Sequence, residues 1–141
     1  MKKILVFVSF FFLLSGCTSE KTLVCTTTVQ EDQKIDIKVV ANWKNDNLEN
    51  FQLETVYYLE NNLTSKQQET FKSYIDESMS SWKNESGVKY RSSLEKNRLN
   101  LTLEVNTSNG MKALETFSIT EKNSTYEGFK KSLEEQNYVC K

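Results

Sequence analysis

Residues 88–105 read VKYRSSLEKNRLNLTLEV, and the register of this stretch decides the fold. With Lys96-Asn97 as a two-residue turn, Leu94 pairs with Leu99, Ser92 with Leu101, Tyr90 with Leu103 and Val88 with Val105. All of these then share one face, while Lys89, Arg91, Asn100, Thr102 and Glu104 share the other. Side chains alternate across a strand, so a slip of one residue would turn Leu99, Leu101 and Leu103 toward water. The stretch therefore predicts a hairpin with one dry face and one wet face. Lys-Asn is not the preferred pair for such a turn, so its type is left open.

Upstream, the same alternation continues. Leu23, Cys25, Thr27 and Val29 alternate with Val24, Thr26 and Thr28, and β-branched residues dominate. Glu31-Asp32-Gln33 turns the chain, after which Ile35, Ile37 and Val39 oppose Asp36 and Lys38. Asn45-Asp46-Asn47 is a second turn, because Asn and Asp tolerate left-handed backbone. Phe51, Leu53, Thr55, Tyr57 and Leu59 then share a face opposite Glu54, Val56 and Tyr58. Three antiparallel strands in a meander follow from this pattern.

Between meander and hairpin the period changes to that of a helix. Thr64 and Gln67 have capping-box spacing. Phe71, Tyr74, Ile75, Met79 and Trp82 form an apolar stripe at helical spacing. The stripe predicts these residues to be buried against Leu53, Tyr57, Leu101 and Leu103, so that Trp82→Ala would cost about 3–5 kcal/mol. Gly87 is placed to end the helix left-handed. Past the hairpin, residues 106–122 are harder to read, with some helix favoured after Asn109-Gly110 around Met111, Leu114 and Phe117. A last helix starts near Ser124, since Ser124 and Glu127 repeat the capping-box spacing. Its apolar face is Tyr126, Phe129 and Leu133, and Asn137 is its left-handed terminator. Tyr138-Val139-Cys140 then runs extended beside the first strand.

A sheet with one apolar face needs a cover, and two amphipathic helices are available. The expected fold class is α+β, a two-layer sandwich with an antiparallel sheet and helices covering one face.

The N-terminus carries a different kind of signal. Met1-Lys2-Lys3 is a charged n-region, and Ile4 to Leu14 is an apolar run interrupted by Ser9. Leu14-Ser15-Gly16-Cys17 then reads as a lipobox. That order marks a cleaved export signal, and the apolar run falls well short of the roughly 20 residues that cross a bilayer. The reading divides the chain into a signal peptide of residues 1–16, a lipidated N-terminus and short tether of residues 17–21, and a single α+β domain of residues 22–141. Cys17 is the lipidation site. The expected location is the extracytoplasmic face of a cell membrane, which in a Gram-negative source means its periplasmic face. A non-cleaved anchor and a plain signal peptide are the alternatives.

Of three cysteines, Cys25 and Cys140 remain, one near each end of the mature chain. In an exported protein such a pair predicts a disulfide, against the alternative of two free thiols. It would close a loop of about 116 residues, for which chain entropy gives roughly 4–5 kcal/mol.

The order of lipobox, strands, helix, Gly87-Val88, hairpin, Lys112-Ala113-Leu114 and a closing helix ending in an aromatic resembles the YehR-like family of small bacterial lipoproteins. The resemblance spans most of the mature chain, by pattern more than by rigid motif. Where a glycine is expected before the final aromatic, this chain has Asn137 before Tyr138; both residues suit a left-handed cap. The resemblance implies an α+β fold and a membrane anchor, and it carries over no catalytic residues.

Composition narrows the chemistry further. Removal of Lys2 and Lys3 with the signal leaves 16 basic against 19 acidic residues, a net of −3. There is no basic stripe for nucleic acid. Histidine is absent, which removes Ser-His and Cys-His nucleophile pairs and His-ligated zinc. No cofactor or metal is expected. Asn45-Asp46-Asn47 is a fragment of calcium-loop chemistry lacking the further ligands and the glycine, so it reads as a turn. Five Asn-x-Ser/Thr sequons, at Asn62, Asn84, Asn100, Asn106 and Asn123, reflect asparagine-rich composition. Glu54 and Glu104 belong to the wet sheet face, where Lys38, Lys89 and Arg91 are available to pair with them. Tyr57, Tyr74, Trp82 and Tyr90 point toward the helix–sheet interface. Tyr58 is thrown onto the polar face and is the candidate interaction residue.

The expected function is a non-enzymatic, lipid-anchored binding or interaction module. Its partners would be the membrane itself and an unidentified envelope protein or small apolar ligand. The alternatives are a small envelope enzyme using carboxylates alone and a binder of lipid or peptide in a helix–sheet cleft. A solute receptor feeding a transporter usually has two lobes, and this chain has room for one.

Overall fold

The computed structural model describes residues 19–107 and 119–141. Its strands are β1 (Glu20–Gln30), β2 (Lys34–Lys44), β3 (Asn47–Tyr58), β4 (Val88–Glu95), β5 (Arg98–Asn106) and β6 (Val139–Cys140). Its helices are α1 (Ser65–Ser78), α2 (Ser80–Lys83) and α3 (Tyr126–Glu134). The strands form one antiparallel sheet in the order β4-β5-β3-β2-β1-β6. Helices lie over one face, α1 and α2 against β4 and α3 against β1 and β6. The fold is the expected α+β two-layer sandwich.

The hairpin register follows the alternation, with Val88, Tyr90, Ser92 and Leu94 opposite Val105, Leu103, Leu101 and Leu99. Lys96 takes a left-handed φ of 55° at the turn. Asn45 and Asp46 both adopt positive φ, 51° and 62°, as the two-residue turn between β2 and β3 requires. A bulge near Asn42 lets Trp43 pair with Leu48 while Asn42 pairs with Asn50. Sheet pairing begins at Glu20, opposite Lys44, so the last two residues of the segment read as a tether belong to the sheet.

The helix ends confirm much of the cap reading. Thr64 and Gln67 form the reciprocal capping box of α1. Asn137 has φ 66°, and the Tyr138 and Asn137 N–H groups donate to the carbonyls of Leu133 and Glu134. This pair of bonds closes α3 as a Schellman motif. The start of α3 differs by one residue from the sequence reading. Thr125, not Ser124, is the N-cap, and its hydroxyl accepts from the Gly128 N–H. A Cβ at residue 128 would sit 2.5 Å from the Lys122 carbonyl oxygen, so the close approach at this start requires glycine.

The first helix departs from expectation in two ways. It breaks at Met79, which caps α1 and begins α2. In addition, none of the stripe residues is fully buried. Phe71, Ile75, Met79 and Trp82 are half-buried, and Tyr74 is 68% exposed. The covered arc runs through Gln68, Phe71, Lys72, Ile75, Asp76, Met79 and Trp82. At roughly 100° per residue, Tyr74 lies about 130° from the centre of that arc. The large buried tryptophan is instead Trp43, 1% exposed and packed edge-on to Tyr126 and Phe129 at centroid distances of 5.3 and 5.4 Å. Leu23, Cys25, Val39, Ala41, Phe51, Leu103 and Val105 complete this core. The expected helical stretch near Met111, Leu114 and Phe117 lies outside the described residues.

Candidate functional site

On the sheet face turned away from the described helices, polar side chains form cross-strand rows. Asp36 on β2 accepts hydrogen bonds from the Tyr58 hydroxyl at 2.8 Å and the Thr28 hydroxyl at 2.8 Å. The Lys34 ammonium lies 3.5 Å from the same carboxylate and 4.5 Å above the Tyr58 ring. The Tyr58 and Thr28 hydrogen bonds, helped by the Lys34 charge, hold the Asp36 carboxyl below its ordinary range. Tyr58 does lie on the polar face, as its alternation predicts, but its hydroxyl and ring are already engaged there.

Lys38 meets Glu54 at 3.2 Å, and the Gln52 amide donates to the other Glu54 oxygen at 2.8 Å. Arg91 pairs with Glu104. Toward one end, Thr22 donates to Asn42 at 2.8 Å, which donates to Asn50 at 2.7 Å. Cross-strand pairs of this kind each contribute about 1 kcal/mol or less. The carboxylates on this face are thus engaged by neighbours, Glu54 by Lys38 and Gln52 and Glu104 by Arg91, in the mutual charge pairing that the alternation predicts.

A second polar node joins α1 to β4. Asp76 accepts from the Tyr90 hydroxyl at 2.7 Å and from the Lys72 ammonium at 2.6 Å. Partial burial would raise the Asp76 carboxyl, but hydrogen bonds from Lys72, Ser92 and Tyr90 outweigh it and bring it below its ordinary range. Burial and the adjacent carboxylate drive the Tyr90 phenol well up. Beside this node Tyr57 stacks edge-on to Phe71 at 5.8 Å, and desolvation raises the Tyr57 phenol.

Beneath α3, Val39, Phe51, Leu53, Ile119, Phe129 and Leu133 line a cleft of about 270 Å3, with Asn123, Ser132, Gln136 and Tyr138 contributing polar groups to its wall. Ligand pockets start at about 300 Å3, so this cleft lies just below their usual size.

Cys17 lies outside the described residues, but the start of β1 is held in detail. The Asn45 N–H donates to the Ser19 carbonyl at 3.0 Å. Lys21 donates to Asp46 at 3.0 Å and rests 5.6 Å above the Tyr126 ring. Asn45-Asp46-Asn47 is thus a hairpin turn whose carboxylate serves a lysine. Further along β1 the sulfurs of Cys25 and Cys140 are bonded at 2.00 Å, where β6 pairs with β1 at the sheet edge. Among the described residues no group of three or more Cys, Asp or Glu is arranged to hold a metal ion, and no helix is long and apolar enough to cross a membrane.

Three features escaped the sequence reading. The period of Ile35, Ile37 and Val39 extends through Ala41 to Trp43, so the buried tryptophan had a signal in the alternation. The Asp76–Tyr90 and Lys21–Asp46 contacts had none, because each joins residues far apart in the chain.

No family model matches the chain, and no curated protein matches it. Among solved structures, the NMR structure of the E. coli YehR protein matches with a TM-score of 0.66 at 14% identity, covering 88% of this chain and 92% of that one. The chain has a YehR-like fold.

Proposed function

We propose that this chain is a bacterial lipoprotein, anchored through Cys17 at the extracytoplasmic face of a membrane, and that it works there as a non-enzymatic interaction module. The lipobox at Leu14-Ser15-Gly16-Cys17 supports the anchor. What supports the non-enzymatic part is that the perturbed carboxylates are occupied by donors within the fold, Asp36 by the Thr28 and Tyr58 hydroxyls and Asp76 by Lys72 and the Tyr90 hydroxyl. Both have perturbed acidity, and both are held below the ordinary carboxyl range by donors. A glycosidase-type general acid needs the opposite shift.

Mass spectrometry of membrane-extracted protein tests the anchor: acylated Cys17 should be the first residue, and a mature form retaining Met1 overturns it. For the module, a photocrosslinker at Thr102 on the open sheet face should capture a specific envelope partner in live cells, whereas one at Lys131 on α3 should not. Hydrolysis of cell-wall glycan by the purified protein, abolished by Glu54→Gln or Glu104→Gln, would favour the carboxylate enzyme instead.

The cleft beneath α3 favours a second reading, a binder of a short acyl or apolar peptide group. Saturable quenching of Trp43 fluorescence by a spin-labelled fatty acid would support it.

A further inference from the structure

We infer that the β2–β3 turn end of the sheet rests on the phospholipid headgroup layer, so that the molecule stands upright with its opposite end facing away from the membrane. The inference builds on the proposed Cys17 anchor and adds an orientation to it.

Cys17 is separated from Ser19 by one residue, and Ser19 is already fixed. Its carbonyl accepts from the Asn45 N–H at 3.0 Å, one residue before Glu20 enters the sheet opposite Lys44. Two residues span at most about 7 Å, whatever their conformation. An acylated Cys17 seated at the membrane surface therefore keeps Asn45 and Asp46 within that surface layer.

Lys21 adds side-chain contacts at the same place. Its ammonium binds Asp46 on the turn at 3.0 Å and lies 5.6 Å above the Tyr126 ring on α3. The start of β1 is thereby in contact with both the β2–β3 turn and the last helix. Lys44, Asn45, Asp46, Asn47 and Glu49 are all exposed at this end. Such mixed, neutral-to-charged polar groups match a headgroup layer in hydrogen bonding and require no insertion into the hydrocarbon. From there β1 runs 11 residues to its turn with β2. At about 3.3 Å per residue that turn lies about 35 Å away.

The test uses full-length protein acylated in cells and reconstituted into phosphatidylcholine–phosphatidylglycerol vesicles containing lipids with nitroxide-labelled headgroups. A fluorophore is introduced through an unnatural residue at exposed Glu49 or at exposed Glu31, leaving the cysteines untouched. The Glu49 label should be quenched several-fold more strongly than the Glu31 label. Equal quenching, or stronger quenching at Glu31, would overturn the orientation. Acylation of Cys17 is checked by mass on the same samples, so failure of the anchor is separable from failure of the orientation. In Lys21→Ala the difference between the labels should shrink, while the unfolding midpoint shifts little because the pair is exposed; an unchanged difference would overturn the role given to Lys21.

Discussion

The indole N–H of Trp43 donates to the carbonyl oxygen of Ser124 at 2.7 Å, tying the end of β2 to the turn that starts α3, 81 residues later. The ring itself is 1% exposed, with Tyr126 and Phe129 packed edge-on against it. Trp43→Ala should therefore destabilise by about 3–5 kcal/mol. Trp43→Phe keeps much of the packing but strands the carbonyl, and should cost about 1–3 kcal/mol. Urea unfolding of both variants checks this; a loss under about 1 kcal/mol for the alanine would show that α3 is not fastened here.

The rotation of α1 makes a contrasting pair of substitutions. Tyr74→Ala should fall within about 0.5 kcal/mol of the parent, as exposed substitutions do. Phe71→Ala removes a half-buried ring stacked on Tyr57 and should cost clearly more. Equal losses in denaturant unfolding would mean that the helix faces the sheet with the stripe first read from the sequence.

Reduction of the Cys25–Cys140 bond should lower stability by about 4–5 kcal/mol, the chain-entropy value for a loop of this size. The two residues of β6 alone are too few to hold the C-terminus in place. Non-reducing peptide mapping should recover one linked pair, and the reduced protein should unfold at lower urea. Free thiols at both positions in protein taken from cells would defeat the prediction.

Acid should loosen the contact between α1 and β4. The Asp76 carboxyl is depressed in the folded protein, so its stabilisation is fully present above the unfolded value near 4 and is lost as pH falls through the lower folded value. Stability measured from pH 6 down to pH 2 should decline in that window, and Asp76→Asn should flatten part of the decline. An identical pH profile in the variant would remove Asp76 from the account.

Much of the fold was legible because strand faces and helix caps are local. Alternation in residues 88–105 set the hairpin register pair by pair, and Asn45-Asp46 and Asn137 adopt the left-handed backbone that their short polar side chains tolerate. Tyr58 could be placed on the polar face for the same reason. Its engagement with Asp36 and Lys34 could not, since that depends on which strands become neighbours.

Periodicity along the chain thus determined on its own which side of each element is dry, where the chain turns, and that helices must cover one face of an antiparallel sheet. Only the tertiary structure decided how far α1 rotates, because a helix stripe is broad; the observed angle turns Asp76 to the Tyr90 hydroxyl on β4 and leaves Tyr74 exposed. It likewise decided that Trp43, and not Trp82, is the buried tryptophan. Period marks a residue as facing inward, but burial depends on how closely the covering element approaches, and α3 closes over Trp43 while α1 and α2 leave Trp82 half open.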